Sequence, residues 1–174
     1  FFFGSVLAYK GIERLLEAAD ILEKKGCKFE LNICGKIRYN NDEIIRRIKS
    51  KKNIRLRDEF IDYWEVYNVY SENDMIIIPY IHVSQCGPML IGYNQNVPLI
   101  CSDLPGFREY VTEDGSGLLF DNTAGGLASS MEEIINEPSE IKKMKAFIAS
   151  DIKNRFSMAK LAEDYISVFQ KAIG

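Results

Sequence analysis

Short continuous apolar runs alternate along this chain with longer segments whose apolar residues recur at helical spacing. Residues 1–5 read as a strand. Over residues 10–25, Ile12, Leu15, Leu16, Ala19 and Leu22 mark one face of a helix, and Gly26 is its stop. Phe29, Leu31 and Ile33 alternate with Glu30 and Asn32 in a second strand that closes on Cys34-Gly35. A charged helix follows over 42–50, then a short strand marked by Ile54 and Leu56. Asp62-Tyr63-Trp64-Glu65 has the form of a capping box opening a helix to about residue 72. Residues 75–80, Met-Ile-Ile-Ile-Pro-Tyr, are the uninterrupted apolar run of a central parallel strand. Beyond it the pattern predicts a helix over 88–95, a strand over 97–102 and a helical turn over 106–111. A turn at 115–117 and a strand over 118–120 follow. The rest is helical: 124–136, 139–152 and 157–172, with breaks at Pro138-Ser139 and Phe156-Ser157.

Strands and helices alternating at this spacing predict an α/β fold. It is a Rossmann-like, doubly wound parallel sheet with C-terminal helices, in one domain over 1–174. Ligands of such sheets bind at the carboxyl ends of the strands. No GxGxxG follows the first strand, which disfavours a dinucleotide site. The 47% apolar content supports a full core, and a net charge of −3 gives no sign of nucleic-acid binding. Four scattered cysteines without a CxxC pair read as reduced thiols of a cytoplasmic protein. His82 is the lone histidine and there is no Asp-x-Asp pair, so no metal is expected. The chain opens on Phe1 inside an apolar run, and the expectation is a fragment of a longer, two-domain protein.

One loop carries a chemical signal. Ser84-Gln85-Cys86-Gly87-Pro88 lies between the central strand and a helix with proline in its first turn. Free backbone N–H groups at such a helix start favour a phosphate or another anion.

Taken in order, several segments resemble the C-terminal half of a GT-B glycosyltransferase. The resemblance is to the large retaining family 4, the glycosyl transferases group 1, and it covers essentially the whole chain. Residues 3–12, Phe-Gly-Ser-Val-Leu-Ala-Tyr-Lys-Gly-Ile, are similar to that family's Gly-Arg-x4-Lys-Gly segment. Leu31 to Gly35 resembles its second strand, and Asn73 to Tyr80 its central strand. Ser84-Gln85-Cys86-Gly87 resembles a Ser-Gln-Ser-Gly variant, and 97–103, 106–111 and 115–120 follow in the expected order.

The resemblance implies a donor-binding domain for a nucleotide-diphosphate sugar, with no metal or cofactor. It implies transfer of the sugar, with retention, to a glycan or lipid-linked acceptor in surface polysaccharide biosynthesis. The acceptor would be held by a missing N-terminal domain, and the fragment alone would transfer little. Lys10 would be the catalytic cation that stabilises the departing diphosphate. Its bland alternative is a solvated first-turn lysine. Gly4, Ser5 and Gly35 would border the donor. Gln85, Cys86, Gly87, Pro88 and Met89 would form the rest of the phosphate cradle. Arg57 and Phe60 would lie against the base, with Phe60 read equally well as a hydrophobic staple. Glu109 is a cleft carboxylate or a local hydrogen-bonding residue. Cys86 is not read as a nucleophile, because no base other than His82 is near it in sequence.

The chain departs from the family at three positions. Ser5 stands where arginine is usual, and Val83 and Ile91 stand at the two usual glutamates. These departures keep two other readings open: a non-catalytic GT-B-like scaffold, and a GT-B-type nucleotide-sugar epimerase. The basic run from Arg46 to Arg57 reads as a solvated helix face, or as a peripheral contact with anionic lipid at the inner face of the membrane. Tyr63, Trp64, Tyr67 and Tyr70 read as core or subunit-surface aromatics rather than a sugar platform. The last helix, with Leu161, Tyr165, Val168 and Phe169 on one face, is expected to pack on this domain.

Overall fold

The computed structural model describes residues 1–39, 41–111, 115–155 and 157–173. Its strands are β1 (Phe2–Phe3), β2 (Leu31–Cys34), β3 (Ile54–Arg57), β4 (Ile76–Ile78), β5 (Leu99–Ser102) and β6 (Gly117–Phe120). Between and after them run α1 (Ile12–Lys24), α2 (Asn41–Lys49), α3 (Tyr63–Ser71), α4 (Gly87–Asn94) and α5 (Pro105–Arg108). The last three helices are α6 (Ala124–Asn136), α7 (Ser139–Arg155) and α8 (Met158–Ile173). The predicted α/β alternation is present throughout, with β1, β2, β4 and β5 shorter than their apolar runs.

All strand pairs are parallel. Strands β1-β2-β3 form one ladder and β4-β5-β6 another. The two ladders meet at β1 and β4. The Phe1 nitrogen donates to the Met75 carbonyl at 2.7 Å, and the Ile77 N–H donates to the Phe1 carbonyl at 2.7 Å. The spatial order is therefore 3-2-1-4-5-6, and the order reverses between β1 and β4. A crevice at the carboxyl ends of those two strands is where such sheets hold ligands.

Alternation of side chains sets which layer each strand residue feeds. Phe1 and Phe3 meet Tyr70 of α3 edge-on, at 4.9 and 5.2 Å between ring centroids, so Phe2 points the other way. Helix α1 packs against α6 and α2, and α4 packs against α7. One hydrophobic core joins all of them and includes the whole of β4 and the apolar residues of β5.

Three expectations are corrected. Lys10 does not belong to the amphipathic helix. It ends a separate 3-10 turn, Ala8–Lys10, and Gly11 in the left-handed region (φ 66°) divides that turn from α1. The capping box of α3 is only half formed. The Asp62 side chain accepts no capping bond, while the Glu65 carboxylate accepts from the Asp62 backbone N–H and also from Arg57. Helix α8 does not pack on the domain. It buries no residue, and Met158, Leu161, Tyr165, Val168 and Phe169 are exposed. The predicted break at Phe156 lies outside the described residues.

Gly11 is fixed by sterics. A Cβ there would stand 1.9 Å from the Pro79 carbonyl oxygen, so the turn carrying Lys10 can dock on the end of β4 only without a side chain. Gly26, by contrast, has positive φ (77°) and open space around it. Gly26→Ala should cost about 1 kcal/mol, the strain of the backbone alone, and Gly11→Ala at least twice that. Urea unfolding of the two variants checks the ratio. Removing residues 158–174 should shift Tm by less than about 2 °C, because α8 contributes no burial to the domain.

Candidate functional site

The crevice between β1 and β4 is built mostly from backbone. At the end of β1, Gly4 turns at φ 108° and its N–H donates to the Cys34 carbonyl at 2.9 Å. Gly35 lies alongside, and a Cβ on it would fall 2.2 Å from the Gly4 carbonyl oxygen. The Gly35 N–H in turn donates to the Arg57 carbonyl at 3.0 Å. The ends of β1, β2 and β3 thus form a flat floor on which no side chain stands at Gly4 or Gly35.

Lys10 reaches over this floor. A Cβ placed on Gly4 would lie 3.1 Å from the Lys10 Nζ and 3.8 Å from Cγ of Pro88. The opening segment and the start of α4 therefore flank one glycine. The turn bearing Lys10 is tied to the end of β4, where the Ile81 N–H donates to the Tyr9 carbonyl at 2.7 Å. The Nζ also sits 5.3 Å from the centroid of the Tyr80 ring.

Lys10 is only 9% exposed, and among the described residues its ammonium has no hydrogen bond or ion pair. Burial pushes its pKa below the usual lysine range, with the nearby Cys86 pulling the other way. The solvated first-turn lysine is not what the structure holds. A buried cation without a counter-charge carries an uncompensated desolvation cost.

Helix α4 supplies the facing wall. Cys86 is its N-cap residue, Pro88 sits in its first turn, and the Tyr70 hydroxyl pins that turn by donating to the Pro88 carbonyl at 2.9 Å. Gln85 and Gly87 are exposed, and nothing lies within 4 Å of a Cβ built on Gly87, so this side of the cradle is open. Cys86 and Met89 enter differently from expectation. Met89 is 3% exposed and its side chain belongs to the core, so only its amide faces the helix start. The Cys86 thiol is also buried. Burial raises its pKa, against the pull of the Met89 amide, the Tyr80 hydroxyl and the Lys10 ammonium.

The other sequence candidates lie apart from this pair. The Arg57 guanidinium is consumed by carboxylates: Glu65 accepts at 2.7 and 2.8 Å, and Glu59 accepts from its Nε. Two of its three nitrogens are thereby committed, and the Arg57 carbonyl already accepts from Gly35. Phe60 is 76% exposed, which rules out the staple and leaves its ring unpacked near the end of β3. Ser5 is half-buried beside Gly4. Glu109 is exposed at the end of α5, and its carbonyl accepts from Arg155. Among the described residues no hydrogen bond or ion pair joins its carboxylate to Lys10 or α4. Val83 rests on Gly106, and Val83 and Ile91 both pack against the core, so the two glutamate positions of the resemblance are filled by structural apolar groups.

The sequence analysis missed the floor–Tyr80–Tyr9 framework. Tyr9 stacks on His82 at 5.0 Å and meets Tyr80 edge-on at 5.7 Å, which braces the loop after β4. The apolar run gave Tyr80 as a strand residue, but nothing local in sequence pairs residues so far apart. A groove of about 470 Å³ opens elsewhere, at the amino ends of β1, β2 and β4, and shares no lining residue with the Lys10 crevice. Among the described residues no group of three His, Cys, Asp or Glu side chains could hold a metal ion, and no helix is long and apolar enough to cross a membrane.

The family described as glycosyl transferases group 1 matches residues 1–137. The chain belongs to the glycosyl transferases group 1 family. A search of curated proteins finds no match. Among solved structures the chain is similar to the C-terminal domain of LpcC, a glycosyl transferase group 1 family protein from Francisella tularensis. Identity there is 17% and the TM-score 0.78, over 90% of this chain and 85% of that one. Sucrose-phosphate synthase from Thermosynechococcus elongatus matches at 16% identity and TM-score 0.80, over 99% of this chain and 45% of its own. HepE from Anabaena, in complex with UDP, matches at 12% and 0.77, over 98% of this chain and 49% of its own. These likenesses establish the fold, that of a GT-B glycosyltransferase C-terminal domain. The chain spans about half the length of the latter two.

The burial pattern predicts thiol behaviour. Cys27 is half-buried, whereas Cys34, Cys86 and Cys101 are buried. Native glycosyltransferase domain treated with iodoacetamide near neutral pH should be labelled at Cys27 and left unmodified at Cys86, as read by peptide mass spectrometry. Rapid labelling of Cys86 would contradict the buried-thiol assignment.

Proposed function

We propose that this chain is the nucleotide-sugar donor domain of a retaining glycosyltransferase. Its acceptor is a glycan or lipid-linked sugar of a surface polysaccharide, held mainly by another part of the protein. The observation that carries the reading is the position of the Lys10 ammonium, against Gly4 and the first turn of α4. A diphosphate in that gap meets a cation on one side and free helix N–H groups on the other. As the glycosidic bond breaks, negative charge builds on the departing diphosphate. Lys10 and the α4 amides stabilise that charge without a metal. Gly4, Ser5 and Gly35 leave room for the backbone to approach the ligand, Gln85, Cys86, Gly87, Pro88 and Met89 present the cradle, and Phe60 is placed to stack on a base. Glu109 is the carboxylate proposed for the sugar side of the site. The UDP named for HepE is consistent with such a ligand.

A second reading has a specific observation behind it. Val83 and Ile91 are packed as apolar side chains, so carboxylates that would hold a sugar and a ribose are not supplied from those positions. This favours a GT-B-like domain that binds without transferring. Assay of the full-length protein against a panel of sugar nucleotides separates the two, since release of nucleoside diphosphate occurs only with transfer or hydrolysis.

Calorimetry with UDP and GDP tests the binding site itself. One of the two should bind, and Lys10→Ala should weaken it about 10- to 100-fold, the loss of one charge-assisted contact. No heat from either nucleotide, with no change in Tm, would refute the donor reading.

A further inference from the structure

Tyr80 stands where the two halves of the crevice meet. It lies just beyond β4, and the backbone on either side of it is tied down. The Pro79 carbonyl accepts from the Arg14 Nη1 at 3.2 Å, and the Ile81 N–H donates to the Tyr9 carbonyl at 2.7 Å. The Tyr80 ring is buried and meets Tyr9 edge-on at 5.7 Å and Phe107 edge-on at 6.0 Å. A ring so enclosed cannot change rotamer without moving its neighbours.

The two parts of this side chain serve different walls. The Lys10 Nζ lies over the ring, 5.3 Å from its centroid, and the same nitrogen is 3.1 Å from where a Cβ on Gly4 would be. The hydroxyl donates to the sulfur of Cys86, the N-cap residue of α4. One residue thus links the cation of the opening segment to the helix start that faces it.

A ring suits this place better than an acid. Its negative face attracts an ammonium, and more strongly where water is excluded. Among the described residues Lys10 has no acid partner, and burial acts against its charged form. A carboxylate would neutralise the lysine and repel an incoming anion. The ring carries no net charge, so it steadies the ammonium and still leaves its charge for the ligand.

We propose that Tyr80 is a positioning residue for the diphosphate: its ring holds the Lys10 ammonium and its hydroxyl holds the α4 N-cap, so that both face one gap. The inference rests on the donor reading above and names the residue that couples its two halves. Tyr80 is 3% exposed and acts through these neighbours.

The test changes the electrons of the ring while keeping its shape. Tyr80→Phe, with fluorines added successively to the ring by codon suppression, weakens the attraction of its face for a cation in steps. Carbon-13 NMR of the Lys10 Cε follows the lysine in the ligand-free chain, its signal assigned by its loss in Lys10→Ala. The Lys10 titration should move to lower pH with each added fluorine, because each removes support from the charged form. No trend along the series overturns the proposal, since a ring that only fills space is indifferent to its fluorines. These analogues keep the core filled, so the test stands even if a smaller side chain unfolds the domain.

Nucleotide calorimetry gives the second readout. Tyr80→Leu should weaken whichever of UDP and GDP the parent binds about tenfold, and Tyr80→Phe, which restores the ring, should keep it within about threefold. Lys10→Ala combined with Tyr80→Leu should bind at least about threefold better than the product of the single losses predicts. Parental affinity in Tyr80→Leu, or fully multiplicative losses, would overturn the proposal. If the parent binds neither nucleotide the donor reading fails, and the fluorine series alone decides whether the ring holds Lys10.

Discussion

The arrangement depends on one edge-to-edge contact, the pairing of β1 with β4. It rests on two short backbone bonds, from the Phe1 nitrogen to Met75 and from the Ile77 N–H to Phe1. Without it there would be two separate three-stranded ladders and no point at which strand order reverses. With it, residues seventy positions apart in sequence face one another across a crevice. The third link, from the Ile81 N–H to the Tyr9 carbonyl, extends the contact past the strands and fixes the turn that carries Lys10. Gly11 is the steric condition for that link, since any side chain there would strike the Pro79 carbonyl.

Given this frame, the crevice has an electrostatic imbalance. Lys10 loses most of its water and gains an aromatic face from Tyr80 and a distant influence from Cys86, with no carboxylate in return. Among the described residues several other cations are paired with acids. Asp20 takes both Arg47 and Lys51, Glu23 shares Lys51, and Glu65 clamps Arg57. A protein that pairs those charges and leaves Lys10 bare beside a helix N-terminus has placed two sources of positive potential together. An anion that enters relieves the desolvation cost of the lysine and meets the orphan amides of α4 in the same step.

The sequence makes the fold legible because each element carries its own periodicity. The alternation in 29–33, the apolar run at 75–78 and the helical spacing from Ile12 to Leu22 each identify an element without reference to any other. The predicted helix 124–136 matches α6 to the residue. What stayed hidden depends on partners distant in sequence. The basic run from Arg46 to Arg57 looks like a positive face until Asp20, Glu23, Glu30, Glu59 and Glu65 are brought against it. Among the described residues only Arg46, Lys49 and Lys52 of that run then lack an ion pair. Likewise Cys86 and Met89 sit in the right loop, yet their side chains turn inward, because a cap and a first-turn residue of a helix packed on a sheet must feed the core. The Phe60 staple failed for the converse reason: Ile61, buried at 7% exposure, fills the space next to α3 and leaves Phe60 outside.

The same contrast separates the two large exposed apolar surfaces. Helix α8 exposes a mixed stripe of Leu161, Val168 and Ile173 with Tyr165 and Phe169, on an element that buries nothing of its own. Helix α3 exposes Tyr63, Trp64 and Tyr67 as its large apolar groups, on an element anchored through Tyr70 to Phe1, Phe3 and Pro88. A stripe containing aliphatic groups gains most from full removal from water, which requires a large complementary partner. The physical difference between the two helices is thus in what holds them: α3 is pinned to the sheet by its own buried residues, whereas α8 finds no burial on this domain.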